Sequence, residues 1–142
     1  MRRSSVRAIV PLVITGIVGL CFVAPLAISE EWKAPERAER RKNPVPADQK
    51  SIAEGKALYT RECLACHGAS GKGDGPAAQD LERSPGDLTS AAVRQQSDGA
   101  LFWKITEGRK PMPSFESKLS EEQRWAVVNY MRTLAPPKGG GK

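Results

Sequence analysis

A five-residue cysteine–histidine motif is the strongest constraint that the sequence places on the structure of this chain. Cys63 and Cys66 are separated by two residues, and His67 follows directly, which gives the pattern C-x-x-C-H. Two thiols at this spacing can form thioether bonds to the two vinyl groups of one haem, and the adjacent histidine then lies beneath the iron. The motif therefore predicts one covalently attached haem c per chain, with Cys63 and Cys66 as attachment points and His67 as an axial iron ligand.

Two other uses of these cysteines fit the rest of the sequence less well. A redox-active dithiol of the C-x-x-C type normally lies in a βαβ pattern, and we find no strand pattern in the chain. A structural zinc site needs a second pair of ligands. His67 is the only histidine, and the one other cysteine, Cys21, belongs to the N-terminal leader. Haem attachment is therefore the favoured interpretation.

The methionines are the candidates for the second axial ligand. A single histidine excludes ligation by two histidines of this chain, and only Met112 and Met131 remain beyond the initiator. Met131 falls on the apolar face of a predicted helix, where packing is its expected role. Met112 stands between Pro111 and Pro113, which stiffen the backbone and disfavour a helix. We expect Met112 to be the sixth ligand, and such His/Met ligation raises the reduction potential.

The N-terminal 29 residues have the composition of a targeting segment. Arginines precede a mostly apolar, uncharged run from Ala8 to about Ala27, and small residues at Ala27 and Ser29 suit a signal peptidase. We predict a signal peptide over residues 1–29. An uncleaved anchor in the inner membrane is the alternative, because the run is nearly long enough to span a bilayer. In both cases the remaining chain lies outside the cytoplasm, as a periplasmic protein that is soluble after cleavage or membrane-anchored.

The rest of the chain divides by composition. Residues 30–47 are charged and contain three prolines, which predicts an extended, solvated tether. Residues 48–136 are predicted to form the haem domain, and the glycine-rich residues 137–142 a disordered tail. The net charge of +6 includes three arginines of the leader, and no basic helix with interleaved aromatic residues is found. We therefore expect no nucleic-acid partner.

Capping and periodicity predict helices and no strands. The first helix is expected to start at the N-cap Asp48 and to run into the cysteine motif. A short helix is expected over about 99–107, with Ser97 or Asp98 as its cap. The last begins at a capping box of Ser120 and Gln123. Its apolar face then repeats at helical spacing through Val127, Tyr130, Met131 and Leu134.

From about Asp48 to Leu134 the chain resembles class I cytochromes c of the bacterial single-haem kind. The matching features are Gly55, Tyr59, CLACHG at 63–68, GKGDGPAA at 71–78, Met112-Pro113 and WAVVNYMRTL at 125–134. The resemblance implies an all-α fold in which the first and last helices cross beside one haem, with Gly55 and Tyr59 meeting Val127 and Tyr130. It also implies that the backbone carbonyl of Pro76 accepts a hydrogen bond from the His67 ring.

An iron with both axial positions filled has no open site for a substrate. We therefore expect outer-sphere electron transfer to redox partner proteins, acidic or membrane-bound, and no enzymatic activity. The alternatives are a haem enzyme or gas sensor with an open iron, and an electron-transfer subunit of a larger respiratory or oxidoreductase complex. Four basic residues are candidates for a ring around the haem edge that would attract an acidic partner, with scattered solubilising charges as the alternative: Lys72, Lys104, Arg109 and Lys110. The aromatic candidates for packing on the haem are Phe102, Trp103 and Trp125, with a surface position as the alternative, particularly for Trp103.

Overall fold

Helices supply the regular structure of residues 32–134, the part of the chain that this computed structural model describes. They are α1 (Glu36–Glu39), α2 (Gln49–Glu62), α3 (Leu64–His67), α4 (Ala91–Arg94), α5 (Asp98–Glu107) and α6 (Glu121–Leu134), with a 3₁₀ turn at Ala78–Asp80. Within residues 32–134 no strand occurs, and Arg109 and Met112 form only an isolated bridge. The predicted all-α fold is confirmed. The predicted leader and tail lie outside the described residues.

The three expected N-caps are formed. The side chain of Asp48 accepts a hydrogen bond from the amide of Ser51 at 2.8 Å, and Ser97 accepts one from Ala100 at 3.1 Å. At the start of α6, Ser120 and Gln123 exchange side-chain to amide bonds of 3.0 and 3.2 Å. These bonds satisfy amides that the first helical turn leaves without intrahelical partners.

The two longest helices cross at a glycine. A Cβ atom at Gly55 would overlap the carbonyl oxygen of Ala126, so the backbones of α2 and α6 can approach only because Gly55 has no side chain. One turn further along α2, the rings of Tyr59 and Tyr130 meet edge to face with centroids 5.2 Å apart. The predicted crossing of the first and last helices is confirmed.

The main core lies between α5, α6 and α2, and its centre is a stacked aromatic pair. The rings of Phe102 and Trp125 are nearly parallel with centroids 4.0 Å apart, and both side chains are fully enclosed by the protein. The surrounding core residues are Leu58, Leu101, Ile105, Phe115, Leu119, Val127 and Val128. Phe102 and Trp125 therefore stabilise the helical core, and the prediction that they pack on the haem is wrong.

Residues 32–47 are packed against the helices, which corrects the prediction of an extended, solvated tether. Ala34, which precedes α1, and Ala38, within α1, are buried against Ala100 of α5. The buried side chains of this contact are alanines, with the half-buried Trp103 packed against them, so no apolar period marks it in the sequence. Among the helices of residues 32–134, none combines the length and apolar character needed to cross a membrane.

Candidate functional site

A mostly apolar cavity of about 240 Å³ lies beside the core. Cys63, Cys66 and His67 line it, and so does Met112 from a segment 45 residues later in the chain. The structure therefore brings to one cavity the four residues that the sequence singles out as cysteine attachment points and axial ligands. Apolar residues from the core helices and the loops between them complete the lining: Leu81, Pro85, Leu88, Val93, Leu101, Ile105, Phe115, Leu119, Val127 and Met131.

The histidine wall, residues 63–77, is folded back on itself by backbone hydrogen bonds. After α3 the chain turns at Gly68, which has a φ of 76°. The amide of Gly73 then donates to the carbonyl of His67 at 2.9 Å, Gly75 to Cys66 at 3.2 Å, and Ala77 to Ala65 at 2.8 Å. A Cβ at Gly75 would overlap the Ala65 carbonyl oxygen, so this return path requires a glycine.

A buried tyrosine fastens the same wall to α2. The hydroxyl of Tyr59 donates to the carbonyl of Gly68, the residue that follows the histidine, at 2.8 Å. Burial raises the pKa of Tyr59 above its ordinary value, so the phenol stays protonated and remains a donor. Tyr59 also lines the cavity. Through its bond to Gly68, it connects the crossing of α2 and α6 to the backbone next to His67.

Burial favours the neutral forms of Cys63 and His67. It raises the pKa of the Cys63 thiol to about 12, with smaller contributions from the charges of Glu62 and Cys66. It lowers the pKa of His67, which favours the neutral imidazole that metals bind. Cys63 and Cys66 are not joined in a disulfide. Both thiols are therefore available for thioether bonds.

One atom of the histidine has no partner. Nδ1 of His67 is buried and makes no hydrogen bond within the described part of the chain. The predicted bond from the His67 ring to the Pro76 carbonyl is thus not formed in this structure. A neutral imidazole with an unpaired buried nitrogen thus lies beside two unbridged thiols and an apolar cavity. Together these groups fit haem c.

The methionine wall, residues 108–114, is a tight turn. Arg109 and Met112 exchange backbone hydrogen bonds of 3.0 and 2.9 Å, and the hydroxyl of Ser114 donates to the Thr106 carbonyl at 2.6 Å. Gly108, with a φ of 68°, ends α5 and turns the chain into this wall. The half-buried side chain of Met112 thereby reaches the cavity.

The loop that precedes α4 has a role that the sequence did not reveal. Its residues Leu81, Pro85 and Leu88 line the cavity, and the amide of Leu88 donates to the Gly71 carbonyl at 2.7 Å. The loop is therefore attached to the histidine wall. Isolated apolar residues in an otherwise polar, glycine-rich stretch were the available signal.

The basic and aromatic residues expected at the haem edge divide into two groups. Lys104 and Arg109 line the cavity, whereas Lys72 and Lys110 do not. Trp103 does not line it either, and its ring packs instead against Trp32, which does. Of the two positions left open for Trp103, packing at the cavity is therefore not found, and Trp32 takes a position there that the sequence had not suggested.

Comparison with known proteins identifies the same architecture. Residues 50–131 match the protein family described as cytochrome c oxidase, cbb3-type, subunit III. The chain is 34% identical over 92 residues to the cbb3-type cytochrome c oxidase subunit FixP of Bradyrhizobium diazoefficiens, which covers 63% of this chain and 28% of that subunit. It is 32% identical over 82 residues to cytochrome c6 of Microcystis aeruginosa, with 58% and 95% of the two chains covered.

A solved structure extends the likeness to three dimensions. A chain of the Kuenenia stuttgartiensis reducing HAO-like protein complex superimposes with a TM-score of 0.60 at 32% identity, covering 66% of this chain and 47% of the other. The described chain thus spans under half of that protein and under a third of the oxidase subunit, but nearly all of the cytochrome c6.

Proposed function

This chain belongs to the class I c-type cytochromes, in the family described as cytochrome c oxidase, cbb3-type, subunit III, and on this premise we propose that Cys63 and Cys66 hold its haem while His67 and Met112 bind the iron. Haem c is the cofactor of the family, and haem-mediated electron transfer is its function. The bound haem supplies a one-electron iron couple. The chain's residues attach it, orient it and keep water from it.

The observation that supports this assignment is the meeting of all four residues at one apolar cavity. The cysteines and His67 enter from the histidine wall, and Met112 enters from the methionine wall. A neutral imidazole and a thioether from separate segments are the ligands expected of a carrier whose iron is closed to substrates. Met131 also lines the cavity, but it lies within α6 rather than on a loop. Its fixed helical position makes it the natural control for Met112.

A closed iron favours an electron carrier over an enzyme. We infer that the chain exchanges electrons with redox partner proteins, either as a separate carrier or as part of a larger respiratory assembly. The relative FixP is a subunit of a cbb3-type oxidase, and the Kuenenia relative belongs to a complex, which supports the second form. We further infer export of the chain, directed by residues 1–29, whether or not that segment is removed.

The test is to mature the full chain with haem and to record oxidised and reduced absorption spectra. We expect a low-spin c-type spectrum with a methionine–iron charge-transfer band. In Met112→Ala the band should disappear and the reduction potential should fall, while the haem remains bound on a denaturing gel.

The matched control is Met131→Leu, which should keep the band because it removes only a packing thioether. Loss of the band in Met131→Leu and not in Met112→Ala would exchange the two roles. A high-spin spectrum of the unaltered protein that shifts on adding carbon monoxide would instead favour the enzyme or sensor with an open iron. Absence of haem under conditions that mature a control cytochrome would refute the site assignment.

A further inference from the structure

The chain upstream of the family match reaches the cavity. The match begins at residue 50, whereas Trp32 lines the cavity together with the methionine wall and with Leu101, Lys104 and Ile105 of α5. The family likeness therefore does not account for this part of the lining. Trp32 is half-buried, so part of this residue remains exposed to solvent.

Three side chains hold the ring of Trp32. The ring of Trp103 is tilted against it with centroids 6.4 Å apart. Nζ of Lys104 lies 5.3 Å from the centroid of the Trp32 ring, and the guanidinium carbon of Arg109 lies 5.0 Å from it. Cations at this distance from an indole face are attracted to it. Because Lys104 and Arg109 line the cavity themselves, Trp32 belongs to the same edge of the site.

The segment that carries Trp32 packs closely against α5 at Gly99. A Cβ at Gly99 would overlap the carbonyl oxygen of Ala38 and lie 2.7 Å from that of Arg41. Only a glycine allows the backbone of the segment to pass so close. The guanidinium of Arg41 then lies over the Phe102 and Trp125 rings of the core, 4.7 and 5.4 Å from their centroids.

A buried amide fastens the other end of the segment to α6. Nδ2 of Asn129 donates to the carbonyls of Val45 and Pro46, both at 3.2 Å, and its Oδ1 accepts from Asn43 at 2.7 Å. Asn129 is almost fully buried, so these bonds replace water that the side chain cannot reach. The segment is thus held at both ends by contacts with helices of the haem domain.

We propose that residues 32–47 are an integral part of the haem domain and that Trp32, the residue of this segment that lines the cavity, excludes water from the edge formed by Lys104 and Arg109. The proposal rests on the proposed haem site. Water stabilises the more highly charged ferric state, so a covered edge raises the reduction potential. It also slows small reagents that must reach the cavity through this edge. The haem domain accordingly begins at Trp32 rather than at residue 48.

The experiment uses the full chain matured with haem. We compare Trp32→Ala with Trp32→Phe and with Lys33→Ala, which alters the exposed neighbour of Trp32. In Trp32→Ala we expect a lower reduction potential and severalfold faster reduction by a small soluble reductant, with the methionine–iron band retained. Trp32→Phe should restore most of both values, because a second aromatic ring covers the same opening. Lys33→Ala should match the unaltered protein.

A second variant moves the segment without touching Trp32. Gly99→Ala places a methyl group against the Ala38 carbonyl, and we expect it to shift the potential in the same direction and to increase proteolytic cleavage within residues 32–47. An unchanged potential and reduction rate in Trp32→Ala would overturn the proposal. If Trp32→Ala fails to mature, an unchanged potential in Gly99→Ala would overturn it instead. Failure of the haem site itself is separate, since the unaltered protein would then lack haem or the methionine–iron band.

Discussion

The two walls of the cavity that carry the proposed iron ligands are built in different ways. The histidine wall is crossed by three backbone hydrogen bonds from the loop to the C-x-x-C-H segment and is fastened to α2 by the buried hydroxyl of Tyr59. The methionine wall contains a reciprocal backbone pair between Arg109 and Met112, a backbone bond from Gly108 to Lys104, and a bond from the exposed side chain of Ser114. Backbone bonds in a buried setting hold a position more firmly than a short exposed turn.

This difference has a consequence for how each side responds to change. Damage to the histidine wall should affect attachment of the haem and the stability of the domain together. Damage to the methionine wall should leave the haem attached and alter mainly the ligation of the iron. Substitutions at matched positions of the two walls test whether the two sides respond in these different ways.

The largest effect is expected from removing both thiols of the histidine wall. In Cys63→Ser/Cys66→Ser no thioether bond can form, so we expect complete loss of haem that survives denaturation. A haem stain on a denaturing gel measures this directly. Cys21→Ala, outside the proposed site, should stain like the unaltered chain. A stained double variant would show that the attachment points lie elsewhere.

Next are two glycines, one in each wall. In Gly75→Ala the methyl group would overlap carbonyl oxygens of both Leu64 and Ala65, which α3 holds in place, and we expect a loss of about 3 kcal/mol in the free energy of unfolding and a lower yield of haem protein. Gly108→Ala forces a non-glycine residue to a φ of 68°, which costs about 1–2 kcal/mol. Its methyl group would also lie 2.6 Å from the Pro113 carbonyl oxygen, so the methionine wall itself must move to accept it. Because the methionine wall is a short turn that can move, the haem yield of Gly108→Ala should stay normal while the methionine–iron band weakens.

Denaturant unfolding, read beside the spectrum of each variant, separates the two glycines. Equal haem yields for Gly75→Ala and Gly108→Ala would contradict the proposed asymmetry. A weaker methionine–iron band in Gly75→Ala alone would reverse it.

A smaller effect is expected for the hydroxyl of Tyr59. Tyr59→Phe leaves the buried Gly68 carbonyl without its side-chain donor, which should lower the free energy of unfolding by about 1–2 kcal/mol. Tyr130→Phe is the matched control, since its ring meets that of Tyr59 from a less buried position. If both variants lose the same stability, the loss comes from removing a phenol hydroxyl in general and not from the bond to Gly68.

The smallest effect is expected for Ser114, the counterpart of Tyr59 in the methionine wall. Ser114→Ala removes an exposed hydrogen bond to Thr106, and water can replace it, so the free energy of unfolding should change by about 0.5 kcal/mol or less. The intensity of the methionine–iron band is the more sensitive measurement. A loss of stability as large as that of Tyr59→Phe would mean that the two walls are equally rigid.

The parts of the fold that local sequence determines were predictable. The cap at Asp48, the capping box at Ser120 and the contiguous C-x-x-C-H motif each depend on residues a few positions apart. The crossing at Gly55 came from resemblance to known cytochromes, and the structure gives its steric reason. The proposed ligand Met112 was accessible because so few candidate side chains exist in the chain.

Contacts between distant segments were not predictable in the same way. Helices α5 and α6 have a core on one side and the cavity on another, so periodicity identifies buried residues without distinguishing the two. Phe102 and Trp125 were misplaced for that reason. The segment of residues 32–47 was misjudged because its contacts use alanines, a glycine and amide hydrogen bonds rather than an apolar stripe.

Asn129 also determines where this domain can be cut. A shortened chain that starts at residue 50, the beginning of the family match, would lack the Val45 and Pro46 carbonyls and the Asn43 amide. It would keep a polar side chain inside α6 with Ser51 as its remaining hydrogen-bond partner among those described. Each buried polar group left unsatisfied costs about 1–3 kcal/mol. A fusion or transplant of this module should therefore carry its upstream residues from Trp32. Asn129 of α6 depends on residues 43–46 of that segment for its hydrogen bonds.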